Sequence, residues 1–215
     1  MQSKVVTKLP LDLGPIHFIG VGGIGMSGIA ELLVNLGYKV SGSDLKNTPI
    51  IERLKSLGVY IQLGHSAQNL SKAEIVVISS AIDDENIELI EARKRLIPVV
   101  RRSEMLAELM RLKSNIAIAG THGKTTTSSL LAWVFEYANL KPGFFIGGIA
   151  ENFGASCLDG RGDFFITEGD EYDTSFFDKR SKFFHYLPNQ LILNNLEFDH
   201  ADIFDSIEDI KKTFR

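Results

Sequence analysis

The stretch Ile116–Ser128, IAIAGTHGKTTTS, constrains this chain more than any other. A short apolar run, Ile116 to Ala119, stops at Gly120. Thr121, His122, Gly123 and Lys124 follow, then Thr125, Thr126 and Thr127, and then apolar residues at helical spacing. Strand, glycine-bearing loop, lysine, hydroxyl and helix, in that order, are how proteins hold the phosphates of ATP or GTP. Backbone N–H groups and the helix N-terminus face the anion, the lysine adds a point charge, and the first hydroxyl after it can ligate Mg²⁺. The common P-loop would put a glycine at position 118, where Ile118 stands, so this loop is a shortened variant.

A second glycine loop lies upstream. Ile16 to Ile19 reads as a strand running into Gly20-Val21-Gly22-Gly23-Ile24-Gly25, with Gly28 one turn later. Ile29, Leu32, Leu33 and Leu36 recur at helical spacing, and Gly37 sits where a glycine stops a helix. Tyr38 to Ser43 reads as the next strand and closes on Asp44, about 20 residues past the glycines, which is the layout of a dinucleotide-binding βαβ unit. Its usual ligand is NAD(P) or FAD, and its wider meaning is any ligand carrying a diphosphate. Asp44 either holds a ribose hydroxyl or caps a turn.

The alternation continues. A helix is expected over 49–57 with Pro49 in its first turn, a strand over 59–63 followed by Gly64-His65, and a strand over 74–79 broken by Ser80-Ala81. Further expectations are a helix over 86–95, a strand over 98–100, and a helix over 103–112 capped by Ser103. The reading is an α/β chain: residues 1–113 form a Rossmann-like domain with a parallel sheet covered on both faces.

Residues 114–215 read as part of a P-loop-type α/β ATPase domain. Leu130, Leu131, Val134, Phe135 and Ala138 mark an amphipathic helix of about three turns. Phe144 to Ile149 reads as a strand edge with a Gly147-Gly148 turn. A strand over 163–167 runs into Glu168, Gly169, Asp170, Glu171, Tyr172 and Asp173. Another over 190–194 runs into Asn195-Leu196-Glu197-Phe198-Asp199-His200, and a helix begins at 207. Stopping after so few strands reads as a fragment of a longer protein. Glu168, directly after an apolar strand, is best placed beside the phosphate loop, and one or two carboxylates next to substrate phosphates suffice for Mg²⁺. Asp170, Glu171 and Asp173 either join it or line a solvated loop. His200 ends a strand of the same kind and is a second candidate. His17 and His185 read as structural, and His65 is intermediate.

Composition excludes several classes. The chain has 44% hydrophobic and 23% charged residues and a net charge of −4, which gives no electrostatic reason to expect nucleic acid or membrane as a partner. Cys157 is the only cysteine, so no intramolecular disulfide is possible, in keeping with a reducing compartment. The first residues lack the apolar core of a signal peptide, and no run approaches membrane-spanning length. A cytoplasmic location is the expectation.

The motifs GVGGIGMSGIAELL, SGSD, SSAI, RRSEMLAELMR, AGTHGKTTTSSLLA, TEGDEYDTSFF and NNLEFDHADIF, in that order, resemble the Mur ligase family of bacterial cell-wall synthesis, in its branch acting on UDP-N-acetylmuramate. Within the branch, EYDTSFFDKRSKFFHY and NLEFDHADIF resemble the ligases that recycle murein peptides more than those that add L-alanine. The latter tend to have a serine where Tyr172 stands and to lack the stretch 178–182. Gly169 departs from the alanine usual in this branch.

The resemblance implies an ATP- and Mg²⁺-dependent ligase: the lactyl carboxylate of the UDP-sugar becomes an acyl phosphate, which a peptide or L-alanine amine then attacks. It implies Lys124, Glu168 and His200 as catalytic, with Thr125, Glu168 and His200 toward metal. Gly120, Thr121, His122, Gly123, Lys124, Thr125 and Thr126 would hold ATP. Gly22, Gly23, Ile24, Gly25, Met26, Ser27, Asp44, His65, Ser79, Ser80 and Ala81 would hold the UDP-sugar. Two readings from other classes stand beside it: an NAD-dependent oxidoreductase with an incidental Gly-Lys-Thr loop, and a phosphate-binding module without enzymatic function.

Overall fold

The computed structural model describes residues 14–169, 173–175, 178–181, 186–197 and 208. Within it the chain divides into two units between Leu106 and Ala107.

The first unit alternates strand and helix: β1 (Ile16–Ile19), α1 (Ile24–Asn35), β2 (Val40–Asp44), α2 (Pro49–Ser56), β3 (Tyr60–Leu63), a 3₁₀ turn (Ala67–Leu70), β4 (Ile75–Ile78), α3 (Ile87–Lys94) and β5 (Val99–Arg101). Every pairing is parallel and the order is β3-β2-β1-β4-β5, the first five strands of the doubly wound mononucleotide-binding arrangement. All four residues of β1 are buried because it lies at the centre with helices over both faces. Ile19 packs with Leu70, Val76, Leu89 and Ala92 in one core cluster. The helix starts follow local chemistry. Thr48 accepts from Ile51 N ahead of Pro49, and Asn86 accepts from Glu88 N at 2.9 Å and Leu89 N at 3.2 Å. β2 begins at Val40, two residues after the expected Tyr38.

α4 (Arg102–Met110) starts directly after β5, one residue before Ser103, which is buried inside the helix and is not its cap. Glu104 instead reaches back to accept from Arg101 N at 2.7 Å. The division between units falls within α4.

The second unit holds β6 (Ser114–Ala119), α5 (Lys124–Tyr137), β7 (Gly143–Ala150), β8 (Ala155–Leu158), β9 (Phe164–Glu168), the hairpin strands β10 (Asp173–Ser175) and β11 (Asp178–Ser181), and β12 (Gln190–Leu193). Its main sheet runs β12-β6-β9-β7-β8, parallel except for β8. β7 is therefore interior between β9 and β8, not an edge, and Gly147-Gly148 lies inside the strand where the register to β8 shifts, not in a turn. The core joins Ile116, Ile118, Ala132, Phe144, Ile146 and Ile166. α5 is longer than expected and turns Ser128 and Ala132 inward, leaving Leu130 and Val134 exposed. The helix expected from 207 lies outside the described residues apart from Glu208. No described helix is long and apolar enough to cross a membrane.

Candidate functional site

In the second unit β6 ends at Ala119 and the chain turns through Gly120 (φ +132°) and Gly123 (φ +78°) into α5. Both glycines are required twice over. Their φ values are ones that L side chains rarely adopt, and a Cβ would come within 3.0 Å of the Asn195 backbone at Gly120 and 2.7 Å of Asn194 Nδ2 at Gly123. The segment after β12 clamps the loop. Asn194 Nδ2 donates to His122 O at 2.9 Å, His122 N donates to Asn195 Oδ1 at 2.9 Å, and Thr121 Oγ1 bridges Glu197 N and O at 3.0 and 3.2 Å. Thr121 is thus spent on loop structure, while Thr125 and Thr126 at the start of α5 are exposed. Lys124 Nζ donates to Gly120 O at 2.5 Å and to Thr121 O at 3.4 Å, laying its charge along the loop. The His122 ring is solvent-facing, 4.0 Å from Glu197.

β9 pairs with β6 in the register Ile118↔Glu168, so Glu168 ends its strand beside the start of the loop. Its Oε1 accepts from Gly147 N at 3.0 Å. A Cβ at Gly147 would stand 3.1 Å from Glu168 Oε2, and one at Gly148 would stand 3.1 Å from Thr125 Cγ2. The glycine pair of β7 therefore borders the carboxylate on one side and the first hydroxyl of α5 on the other. A cavity of about 360 Å³ opens beside Thr125, lined by Thr126, Trp133 and residues 149–153 among others. Among the described residues no three His, Cys, Asp or Glu side chains could hold a metal between them. One carboxylate and one hydroxyl fit a hard cation that keeps waters and shares phosphate oxygens. His200, Asp170 and Glu171 lie outside the described residues.

In the first unit the glycine loop is built onto the end of β2. Gly20 N and Val21 N donate to Ser43 O at 2.9 and 3.0 Å, and Gly22 N donates to Asp44 Oδ2 at 2.8 Å. Asp44 Oδ1 accepts from Lys46 N, so both oxygens of this carboxylate already hold backbone. Gly23 and Ile24 are exposed at the start of α1, whose first N–H groups have no partner within the helix. Met26 is buried, so only its backbone can face a ligand, and Ser27 Oγ turns back to Ile24 O. Ser79 is half-buried while Ser80 and Ala81 are exposed after β4, and Ile82 lies against Gly20.

His65, after β3, is joined to this edge. Its Nδ1 lies 3.1 Å from Ser43 Oγ and 3.4 Å from Glu88 Oε2. Glu88 is fully buried, as is His17, whose Nε2 stands 3.5 Å from the same oxygen. Burial pushes the Glu88 carboxyl up, but the nearby His17 ring and hydrogen bonds from Ser43, Asn69 and the Ser66 backbone outweigh it and hold the group at about 2. Sequence reasoning missed Glu88, Asn194 and Asn195. It also missed Arg102, whose Nη1 would be 3.0 Å from a Cβ at Gly25, at the start of α1. The motifs carrying Arg102, Asn194 and Asn195 were legible and Glu88 lay in none of them, and the roles of all four come from contacts between segments distant in sequence.

Residues 15–114 match the family described as Mur ligase family, catalytic domain, and residues 118–215 match the Mur ligase middle domain. A protein of Geotalea daltonii named UDP-N-acetylmuramate–L-alanine ligase is 54% identical over 199 residues, covering 93% of this chain and 42% of that protein. A solved structure of UDP-N-acetylmuramate:L-alanyl-gamma-D-glutamyl-meso-diaminopimelate ligase from Neisseria meningitides is 44% identical with a TM-score of 0.81, covering 94% of this chain and 66% of that one. The structure of UDP-N-acetylmuramate-alanine ligase from Thermotoga maritima is 32% identical with a TM-score of 0.78, covering 93% and 46%. The chain thus spans about two fifths of the length of the curated relatives it matches.

Proposed function

This chain belongs to the Mur ligase family, whose members are ATP-dependent ligases, and we propose that it is the nucleotide-holding part of an enzyme that joins UDP-N-acetylmuramate to L-alanine. The observation that supports the ligase chemistry is the placement of Lys124, the first residue of α5, and Glu168, the last residue of β9, at the same end of the sheet as the Gly120–Gly123 loop. In the first step a lactyl carboxylate oxygen attacks the γ-phosphorus of ATP, the bond to the bridging oxygen breaks, and ADP leaves. In the second, the amine nitrogen attacks the acyl carbon, the carbon–oxygen bond to phosphate breaks, and the amine gives up a proton. Lys124 and the loop N–H groups stabilise charge on the transferred group and position it. Thr125 and Glu168, with His200, are the residues that would hold Mg²⁺, which when bound neutralises phosphate charge. The exposed start of α1 and the β2 edge with Asp44 and His65 suit a diphosphate and a uridine, without any need for NAD. A cytoplasmic site of action follows from these substrates.

The names of the curated relatives favour L-alanine as acceptor over the murein peptide expected from the sequence. The peptide reading is kept alive by one observation, the 44% identity to the peptide ligase structure. Phosphate release by the full-length protein, supplied with UDP-N-acetylmuramate and ATP, separates them. Faster turnover with L-alanine than with L-Ala-γ-D-Glu-meso-diaminopimelate supports the proposal, and the reverse preference replaces it with the peptide reading.

A further inference from the structure

Resting on the reading that the first unit binds a UDP-sugar, we infer that buried Glu88 is a positioning residue that fixes the His65 ring with its proton on Nδ1, leaving Nε2 as a hydrogen-bond acceptor toward the ligand. Ser43 Oγ donates to Glu88 Oε2 at 2.5 Å, which spends its single proton. Its remaining lone pairs can only accept, and His65 Nδ1 lies 3.1 Å away, with the Glu88 carboxylate itself 3.4 Å off. Nδ1 therefore faces two acceptors and must carry the proton, so the neutral ring has a bare lone pair on Nε2. Nε2 has no hydrogen-bond partner among the described residues, and it is not among the described buried polar atoms left unpaired, so it reaches the solvent.

Glu88 also grips the backbone on both sides of this ring. Its Oε1 accepts from Ser66 N at 3.1 Å and from Asn69 Nδ2, and the same amide donates to Gly64 O at 3.0 Å. Ser43, the other member of the relay, carries on its carbonyl the N–H groups of Gly20 and Val21. One carboxylate thus sets the tautomer of His65, the path of the residues around it, and the strand end on which the glycine loop is built. The ligand group it would serve is an N–H or O–H donor of the uridine nucleotide. In an open α/β sheet the crevice at the strands' carboxyl ends is where such a ligand lies.

The test is long-range ¹H–¹⁵N NMR of the 215-residue chain at about pH 8.5, above the ordinary histidine range. It is joined to calorimetric titration with UDP-N-acetylmuramate. The wild-type His65 signal is expected to be that of the Nδ1–H form. In Glu88→Gln an amide donor faces Ser43, the hydroxyl turns to the ring, and the signal should move toward the Nε2–H form. UDP-sugar affinity should fall about tenfold in Glu88→Gln and in His65→Ala, with no further loss in the double variant. A wild-type Nε2–H signal overturns the inference, as does a Glu88→Gln loss that persists undiminished in the His65→Ala background. Failure of the wild-type chain to bind the sugar nucleotide counts instead against the UDP-sugar reading, and the tautomer measurement on the free chain still decides the role of Glu88.

Discussion

Glu88 is a residue whose burial would be costly if it stood alone. It is tolerable because donors meet both oxygens, and those same donors make it a source of acid sensitivity. Its folded-state value of about 2 lies below the ordinary 4.5, so its stabilisation is fully present above 4.5 and is lost as pH falls from there through 2. The size is on the order of 3 kcal/mol. Denaturant unfolding of the wild-type chain and Glu88→Gln across this range should give curves that converge as the pH drops. Curves that stay parallel from neutral pH to pH 2 would sink the assignment. The sequence read neither end of this: a glutamate in the first turn of a helix is ordinary, and His17 looked structural. Only the fold brings β1, β2, the residues after β3 and the start of α3 around one carboxylate. Asp44, by contrast, was legible from its spacing past the glycines, although its contact with Gly22 N was not.

At the scale of elements, the alternation of strand and helix was readable because each piece carries its own periodicity and punctuation, as Pro49 and Asn86 do. The misreadings have a common cause. Ser103 looked like a cap, but the helix starts at Arg102, where Glu104 supplies the acceptor for the preceding Arg101 N. Gly147-Gly148 looked like a turn because glycine pairs usually are, yet they lie within β7, where a side chain would crowd Glu168 and Thr125. That geometry makes a prediction. Gly147→Ala brings a Cβ to 3.1 Å from Glu168 Oε2, so the carboxylate must give way by a few tenths of an ångström. Ligase turnover in the full-length protein should fall about tenfold, with the thermal midpoint nearly unchanged because position 147 is exposed. Gly42→Ala in β2 provides the contrast, since its Cβ would stand 2.8 Å from the Val21 side chain. It should destabilise the first unit by about 1–3 kcal/mol. Equal turnover for wild type and Gly147→Ala would remove Glu168 from the reacting centre.

At the scale of the molecule, the chain carries two largely parallel sheets, each with its glycine loop at the carboxyl end of an interior strand, and spans 42% of the length of a relative with 54% identity. A phosphoryl transfer to a sugar-linked carboxylate needs both reactants held in line, and positioning is most of what the protein contributes. On the proposed reading the UDP-sugar is held by the first unit, where the loop, Ser43, Asp44 and His65 form one hydrogen-bonded set. The two abilities should therefore separate in the 215-residue chain. UDP-N-acetylmuramate should bind it and protect the first unit from hydrogen exchange, most strongly at residues 20–25 and 43–44. ATP-dependent phosphate release should be absent without the further length that the relatives carry, and in a chain of that length Lys124→Ala should abolish it. Phosphate release by the 215-residue chain alone, lost on Lys124→Ala, would mean that Lys124, Thr125 and Glu168 suffice for the transfer without the sequence that the longer relatives carry.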